Sequence, residues 1–178
     1  MKIANLFTGA RILLMAPLFW LLMHGPDWLA LGVFLLAGAT DIADGWLARR
    51  LNQASRFGAF FDLLADRILT LVISIGLIVH NPRDLWLVLA CMVLIGRNSV
   101  VAGLNEALSG QLDIKVSALE KAKITFNFLG FGLLMSPAFP VAAWTSHGAG
   151  VTCLVISALL CLVTLADYGS RARKAFIA

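Results

Sequence analysis

The sequence has few charged residues, and this scarcity sets the first limit on the class of protein. Lys, Arg, Asp and Glu make up 13% of the 178 residues, whereas 60% are hydrophobic. Soluble domains are usually about half apolar and about a quarter charged. The composition therefore excludes an ordinary soluble domain and predicts an integral membrane protein.

Cysteine and histidine are also scarce, with three of each. Cys91, Cys153 and Cys161 lie in apolar runs without the spacing of metal ligands, so we interpret them as buried small hydrophobic residues. The histidines are weak catalytic candidates, because they fall at the helix ends away from the acidic motif described below. Zinc chemistry is therefore disfavoured.

Six apolar stretches, separated by Gly, Pro, Asn and Asp, follow one another along the chain. A spanning helix needs roughly 20 apolar residues. The stretches fall near residues 5–23, 28–48, 58–80, 84–106, 119–137 and 141–168. The first lacks a small-x-small cleavage site and is interpreted as a helix rather than a signal peptide. The last is long, and its helix is expected to start near Gly148.

These stretches predict an all-α polytopic membrane protein with six transmembrane helices in one domain over residues 1–178. With the N-terminus in the cytoplasm, most basic residues lie in or near cytoplasmic segments, and the opposite loops hold only Arg83. This matches the positive-inside rule. We expect both termini in the cytoplasm, at a bacterial inner membrane. The net charge of +4 then reflects topology and indicates no nucleic-acid partner.

Four aspartates interrupt this apolar background. Asp41 and Asp44 are three residues apart on helix 2, and Asp62 and Asp66 are four apart on helix 3, so each pair shares a helix face. A short loop makes the two helices antiparallel neighbours, so the pairs can converge. Ionisable residues inside a membrane are functional candidates.

Carboxylate oxygens suit hard cations such as Mg²⁺, Mn²⁺ or Ca²⁺, and two such ions can clamp a phosphate. The alternatives for the four acids are buried salt bridges or a proton or ion pathway. In the second case the protein would be an ion-coupled transporter.

Small residues lie beside the acids, at Gly45, Ala48 and Gly58. They allow a ligand or a partner helix to approach the backbone closely. Helix packing alone is the other interpretation. Arg49 would neutralise a diphosphate or serve as a cytoplasmic anchor.

The string D-x2-D-G-x2-A-R-x8-G-x3-D-x3-D resembles the signature of the CDP-alcohol phosphatidyltransferase family. Its fixed positions are filled by Asp41, Asp44, Gly45, Ala48, Arg49, Gly58, Asp62 and Asp66. The length, the six stretches and the place of the motif on helices 2 and 3 agree with the family. The resemblance therefore covers nearly the whole chain.

This resemblance implies an enzyme that moves a phosphatidyl group from CDP-diacylglycerol to an alcohol and releases CMP. It implies that the four aspartates bind two divalent cations, Mg²⁺ or Mn²⁺, and that Asp66 is also the general base. It places the CDP-lipid against the small residues and Arg49 of the motif. Membrane lipids surround such an enzyme, and family members are commonly homodimers.

The segment N5-x2-T8-x2-R11 resembles the opening of the family on helix 1. The resemblance implies that Asn5 contacts the diphosphate of the CDP-lipid, with Thr8 one turn further on. The other interpretation is a helix N-cap followed by a cytoplasmic arginine.

Within the family, the chain looks most like the phosphatidylglycerophosphate synthases. These carry an arginine on helix 4 and a Lys-x-Lys on helix 5, matched here by Arg97, Lys121 and Lys123. Three converging cations would bind a phosphate-bearing acceptor such as glycerol 3-phosphate. The alternatives are a salt bridge for Arg97 and contact with lipid headgroups for the lysines.

The acceptor side departs from that subfamily. Glu120 stands where a glycine is usual, and Asn98 stands where an acid usually follows the arginine. The full set of departures is Leu63, Arg67, Asn98, Asn105 and Glu120. Cardiolipin synthases, whose acceptor is phosphatidylglycerol, are a close alternative, because residues 31–38 resemble their second helix.

Overall fold

The computed structural model describes the backbone of residues 3–50, 56–107, 118–136 and 143–177. Within these ranges it describes the side chains of residues 9–41, 58, 61–104, 118–136 and 146–170. The helices are α1 (Ile3–His24), α2 (Asp27–Arg50), α3 (Arg56–His80), α4 (Leu85–Ala107), α5 (Ala118–Leu134) and α6 (Ala143–Ile177). The described residues contain no strand, which confirms the all-α prediction.

Helix α6 corrects one predicted boundary. It starts at Ala143, before the expected Gly148, and continues to Ile177, well beyond the apolar stretch that ends at residue 168. An apolar stretch predicts only the part of a helix that lies in the membrane, and it does not show where the helix itself ends. The tail beyond Tyr168 is rich in Ala, Arg and Lys, which are good helix formers in water.

Several helices have the length and composition of membrane spans. Among the described residues, Phe61–His80, Leu85–Leu104 and Ser146–Ser170 are long and apolar enough to cross a bilayer, and Gly9–His24 is a shorter apolar helix. Large apolar side chains such as Leu13, at 76% exposure, and Trp86, at 66%, point away from the protein. Such surfaces suit lipid, so the protein is an integral membrane protein.

The chain divides into two compact units. The first contains α1, α2 and α3, and α1 packs against both of the others. The buried stripe of α1 repeats every three or four residues, as a helix face requires. It consists of Arg11, Met15, Leu18 and Leu22. Helix α1 thus brings α2 and α3 around one charged residue.

The second unit contains α4, α5 and α6, and here α6 packs against both of the others. Glycines allow α5 and α6 to approach closely. A Cβ atom on Gly130 would lie 3.1 Å from the Gly150 carbonyl oxygen and 2.7 Å from Leu154 Cδ2. The Ser157 hydroxyl also donates to the Lys123 carbonyl at 3.2 Å, which ties the same two helices together.

Helix α4 begins with a capped first turn. The Leu87 amide donates to Asp84 Oδ1 at 3.1 Å, and His147 Nε2 of α6 lies 3.0 Å from Asp84 Oδ2. Burial raises the pKa of Asp84, but hydrogen bonds from the Leu87 amide and the His147 ring outweigh it and hold this pKa below its usual value. His147 therefore has a structural partner at the start of α4.

The close α5–α6 approach predicts different effects for two neighbouring glycines of α6. In Gly150→Ala the new Cβ would lie 2.8 Å from Leu134 Cγ, whereas a Cβ on Gly148 meets nothing within 4 Å. We expect Gly150→Ala to lower the unfolding free energy by about 1–3 kcal/mol through overpacking. Gly148→Ala is the matched control and should be neutral or stabilising, because alanine favours helix. Thermal unfolding in detergent measures both, and equal shifts would contradict this packing.

Candidate active site

Arg11 is the buried charge of the first unit. Its side chain is 0% exposed, although arginine is almost never buried without partners. It occupies the buried stripe of α1, one turn before Met15. Its guanidinium therefore extends between the helices instead of into solvent, and carboxylates must compensate its charge.

Three aspartates surround one nitrogen of this guanidinium. Arg11 Nη1 lies 2.6 Å from Asp41 Oδ1, 3.0 Å from Asp62 Oδ1 and 3.8 Å from Asp66 Oδ1. Asp41 comes from α2 and the other two from α3. The predicted convergence of the two acidic pairs is therefore present for these three residues, with a cation from α1 at its centre.

The three carboxylates differ in accessibility. The exposed side-chain fraction is 42% for Asp41, 49% for Asp62 and 63% for Asp66. Asp66 is thus the most accessible of the three and the most distant from Arg11. Arg11 itself is buried, whereas all three carboxylates are accessible to a ligand.

The chemistry of this donor set fits a divalent cation. Carboxylate oxygens are the ligands of hard ions such as Mg²⁺ and Mn²⁺. The oxygens of Asp41 and Asp62 already converge on one positively charged group within 3.0 Å. Among the described side chains no three acids, histidines or cysteines form a ready-made metal site, and Asp44 lies outside that part of the structure.

Several predicted site residues lie outside the described side chains, namely Asn5, Thr8, Asp44, Gly45, Ala48 and Arg49. Gly58 is described, near the start of α3, and is half-buried. The sequence alone does not identify Arg11 as a partner of the aspartates, because Arg11 stands out there only as the last residue of the N5-x2-T8-x2-R11 segment. Its register with Met15, Leu18 and Leu22 is the signal that marks it as buried.

The three predicted acceptor cations lie in the second unit. Arg97 of α4 is 8% exposed and forms an ion pair with Glu120 of α5. Lys123 Nζ lies 2.8 Å from the other oxygen of the same carboxylate. Lys121 is exposed. Arg97 therefore forms a salt bridge, as the alternative interpretation expected. The same carboxylate of Glu120 also pairs with Lys123.

Fold and site together define a class, an all-helical integral membrane protein with a carboxylate cluster shaped around a cation. The family model for CDP-alcohol phosphatidyltransferase matches residues 1–168. The chain therefore belongs to the CDP-alcohol phosphatidyltransferase family.

Three similar curated proteins carry the same name, CDP-diacylglycerol–glycerol-3-phosphate 3-phosphatidyltransferase. The protein of Pseudomonas fluorescens is 46% identical over 60% of this chain and 55% of its own length. That of Cereibacter sphaeroides is 39% identical over 75% of this chain and 62% of its own length. That of Escherichia coli K12 is 32% identical over 97% of this chain and 95% of its own length. The chain thus matches less than two thirds of the first two relatives and nearly all of the third.

Arg11 should matter for stability more than an ordinary surface arginine does. Arg11→Met keeps an apolar stem in the buried stripe but leaves the aspartates without their shared cation. We expect the unfolding free energy to fall by about 1.5–3 kcal/mol, the usual range for hydrogen bonds to charged groups. Arg83→Met, at an exposed loop arginine, is the control and should have almost no effect. Thermal unfolding in detergent compares the two, and an unchanged Tm for Arg11→Met would contradict the central role of this residue.

Proposed function

We propose that the protein transfers the phosphatidyl group of CDP-diacylglycerol to glycerol 3-phosphate and releases CMP. The observation that carries this proposal is the convergence of Asp41, Asp62 and Asp66 on one cationic nitrogen. Family membership favours this reaction class over an ion-coupled transporter. The names of the three relatives favour glycerol 3-phosphate over phosphatidylglycerol as the acceptor.

Four aspartates would hold the metal ions, namely Asp41, Asp44, Asp62 and Asp66. Two bound Mg²⁺ or Mn²⁺ ions would supply charge neutralisation of the diphosphate and of the departing CMP. Arg11 keeps the carboxylates of α2 and α3 directed toward one point. The CDP-lipid would lie against Gly45, Ala48 and Gly58, with Asn5, Thr8 and Arg49 contacting its polar head.

Asp66 is the best candidate for the general base. It is the most accessible of the three described carboxylates and the least tightly held by Arg11. Its carboxylate would accept the proton of the acceptor hydroxyl, whose oxygen then attacks the phosphatidyl phosphorus. The bond from phosphorus to the CMP oxygen breaks, and CMP leaves. Arg97, Lys121 and Lys123 would bind the phosphate of the acceptor.

The membrane arrangement belongs to the same proposal. All six helices would span the bilayer, with both termini and the aspartate cluster at the cytoplasmic side of a bacterial inner membrane. The distribution of Lys and Arg supports this orientation. A homodimer is proposed from family resemblance alone.

A direct assay tests the reaction and its acceptor together. Purified protein receives CDP-diacylglycerol, Mg²⁺ or Mn²⁺, and one of glycerol 3-phosphate, phosphatidylglycerol, serine or inositol phosphate. We expect CMP release with glycerol 3-phosphate. Release with phosphatidylglycerol alone would support the cardiolipin synthase alternative, and no release with any acceptor would contradict the reaction class.

The base assignment predicts a separation of binding from turnover. Asp66→Asn keeps the size of the side chain but cannot accept the proton at neutral pH. We expect CMP release to fall by about 10²- to 10⁴-fold, the usual contribution of general acid–base catalysis. Binding of the CDP-lipid, measured by calorimetric titration, should remain within a few-fold of that of the wild type. Near-normal CMP release would refute the assignment.

The ligand assignment predicts a loss of metal-dependent binding in Asp44→Ala. Changes next to metal ligands weaken metal binding by about 10- to 100-fold, and removing a ligand should have at least that effect. Titration with CDP-diacylglycerol, with and without Mn²⁺, measures the metal-dependent part of the affinity. Asp27→Ala, at an exposed acid in the first turn of the same helix, is the control. Equal affinities for the two variants would contradict the ligand role of Asp44.

A further inference from the structure

A buried ion cluster links α4 and α5 in the second unit, and we name it the Glu120 cluster after its central residue. One oxygen of Glu120 pairs with Arg97 Nη2, and the other lies 2.8 Å from Lys123 Nζ. The exposed side-chain fractions are only 8% for Arg97 and 12% for each of the other two. A single carboxylate therefore bridges two cations in a place with little access to water.

This bridging carboxylate has the charge and the contacts of a bound anion. Two oxygens of a phosphate would engage an arginine and a lysine in the same way. The proposed function assigns these same two cations to the acceptor phosphate, and the present inference rests on that assignment. In the structure described here, Glu120 holds both of them.

The guanidinium of Arg97 keeps unused capacity for an anion. Its Nε is buried and has no hydrogen-bond partner among the described residues. The Asn98 amide oxygen lies 3.5 Å from Nη1, at the outer limit for a hydrogen bond, and the Tyr168 ring lies 5.6 Å from Cζ. Buried polar groups in proteins nearly always find partners. An orphaned donor on a buried arginine therefore points to a ligand that supplies more acceptor oxygens than Glu120 does.

We propose that Glu120 competes with the acceptor phosphate for Arg97 and Lys123 and so determines how tightly this enzyme binds its acceptor. A phosphate monoester carries between one and two negative charges near pH 7. Within the Glu120 cluster the phosphate meets two positive charges, and the single negative charge of Glu120 already balances one of them. Binding therefore requires the carboxylate to release a cation, and repulsion between carboxylate and phosphate weakens the complex.

A second role of Glu120 is to keep Arg97 paired when no acceptor is bound. An unpaired charge in a dry site is strongly unfavourable, so removing the carboxylate has a stability effect as well. The test must separate this effect from competition. Glu120→Gln keeps the shape and one acceptor oxygen but removes the charge, whereas Glu120→Asp keeps the charge and disturbs the packing.

The experiment measures binding of inorganic phosphate and of glycerol 3-phosphate to the full-length protein in detergent, together with the kinetics of CMP release. For Glu120→Gln we expect both anions to bind at least about tenfold more tightly, because repulsion between like charges is removed. The KM for glycerol 3-phosphate should fall in parallel, with little change in the KM for CDP-diacylglycerol. Glu120→Asp should show no such gain, and Asp27→Asn, which removes an exposed charge on α2, should behave as the wild type.

Unchanged or weaker anion binding by Glu120→Gln would overturn the proposal. Should that variant not fold, Glu120→Gly removes the same charge and provides the same comparison. The measurement of inorganic phosphate binding does not depend on catalysis. Absence of CMP release with glycerol 3-phosphate would therefore contradict the proposed function, whereas equal phosphate affinities in wild type and variant would contradict the role of Glu120 alone.

Discussion

The ion cluster around Arg11 is the constraint on which the rest of the first unit depends. An arginine that is 0% exposed requires carboxylates within reach, and Asp41 and Asp62 supply them from two different helices at 2.6 and 3.0 Å. Helix α1 therefore packs against both α2 and α3. The side chains of Asp41 and Asp62 remain 42% and 49% exposed, so the same charges that stabilise the unit remain accessible to a ligand.

The second unit also compensates buried charge with an ion cluster, but the numbers of acids and cations are reversed. There one acid, Glu120, bridges two cations, whereas in the first unit one cation holds several acids. The aspartates belong to the D-x2-D-G-x2-A-R-x8-G-x3-D-x3-D motif, whereas Glu120 lies outside it. The proposed function assigns the first arrangement to phosphatidyl transfer and the second to binding of the acceptor.

Sequence patterns predicted the helices and the acidic faces well, because apolar length and residue spacing are local properties. They placed Asp62 and Asp66 on one face of α3 and located most helix ends within a few residues. Arg11 was missed as a partner of the aspartates, because its role depends on how α1 packs against two other helices. Glu120 was visible as an unusual residue, but its pairing with Arg97 depends on the approach of α4 and α5, which helical periodicity does not reveal.

We propose that the aspartate cluster is a cation site that serves phosphatidyl transfer. The most direct measurement is the rate of CMP release from CDP-diacylglycerol and glycerol 3-phosphate as divalent metal is removed with a chelator and then restored. We expect release to stop in excess chelator and to recover on addition of Mg²⁺ or Mn²⁺, since the diphosphate needs cations beyond Arg11 for CMP to leave. An unchanged rate in excess chelator would contradict it.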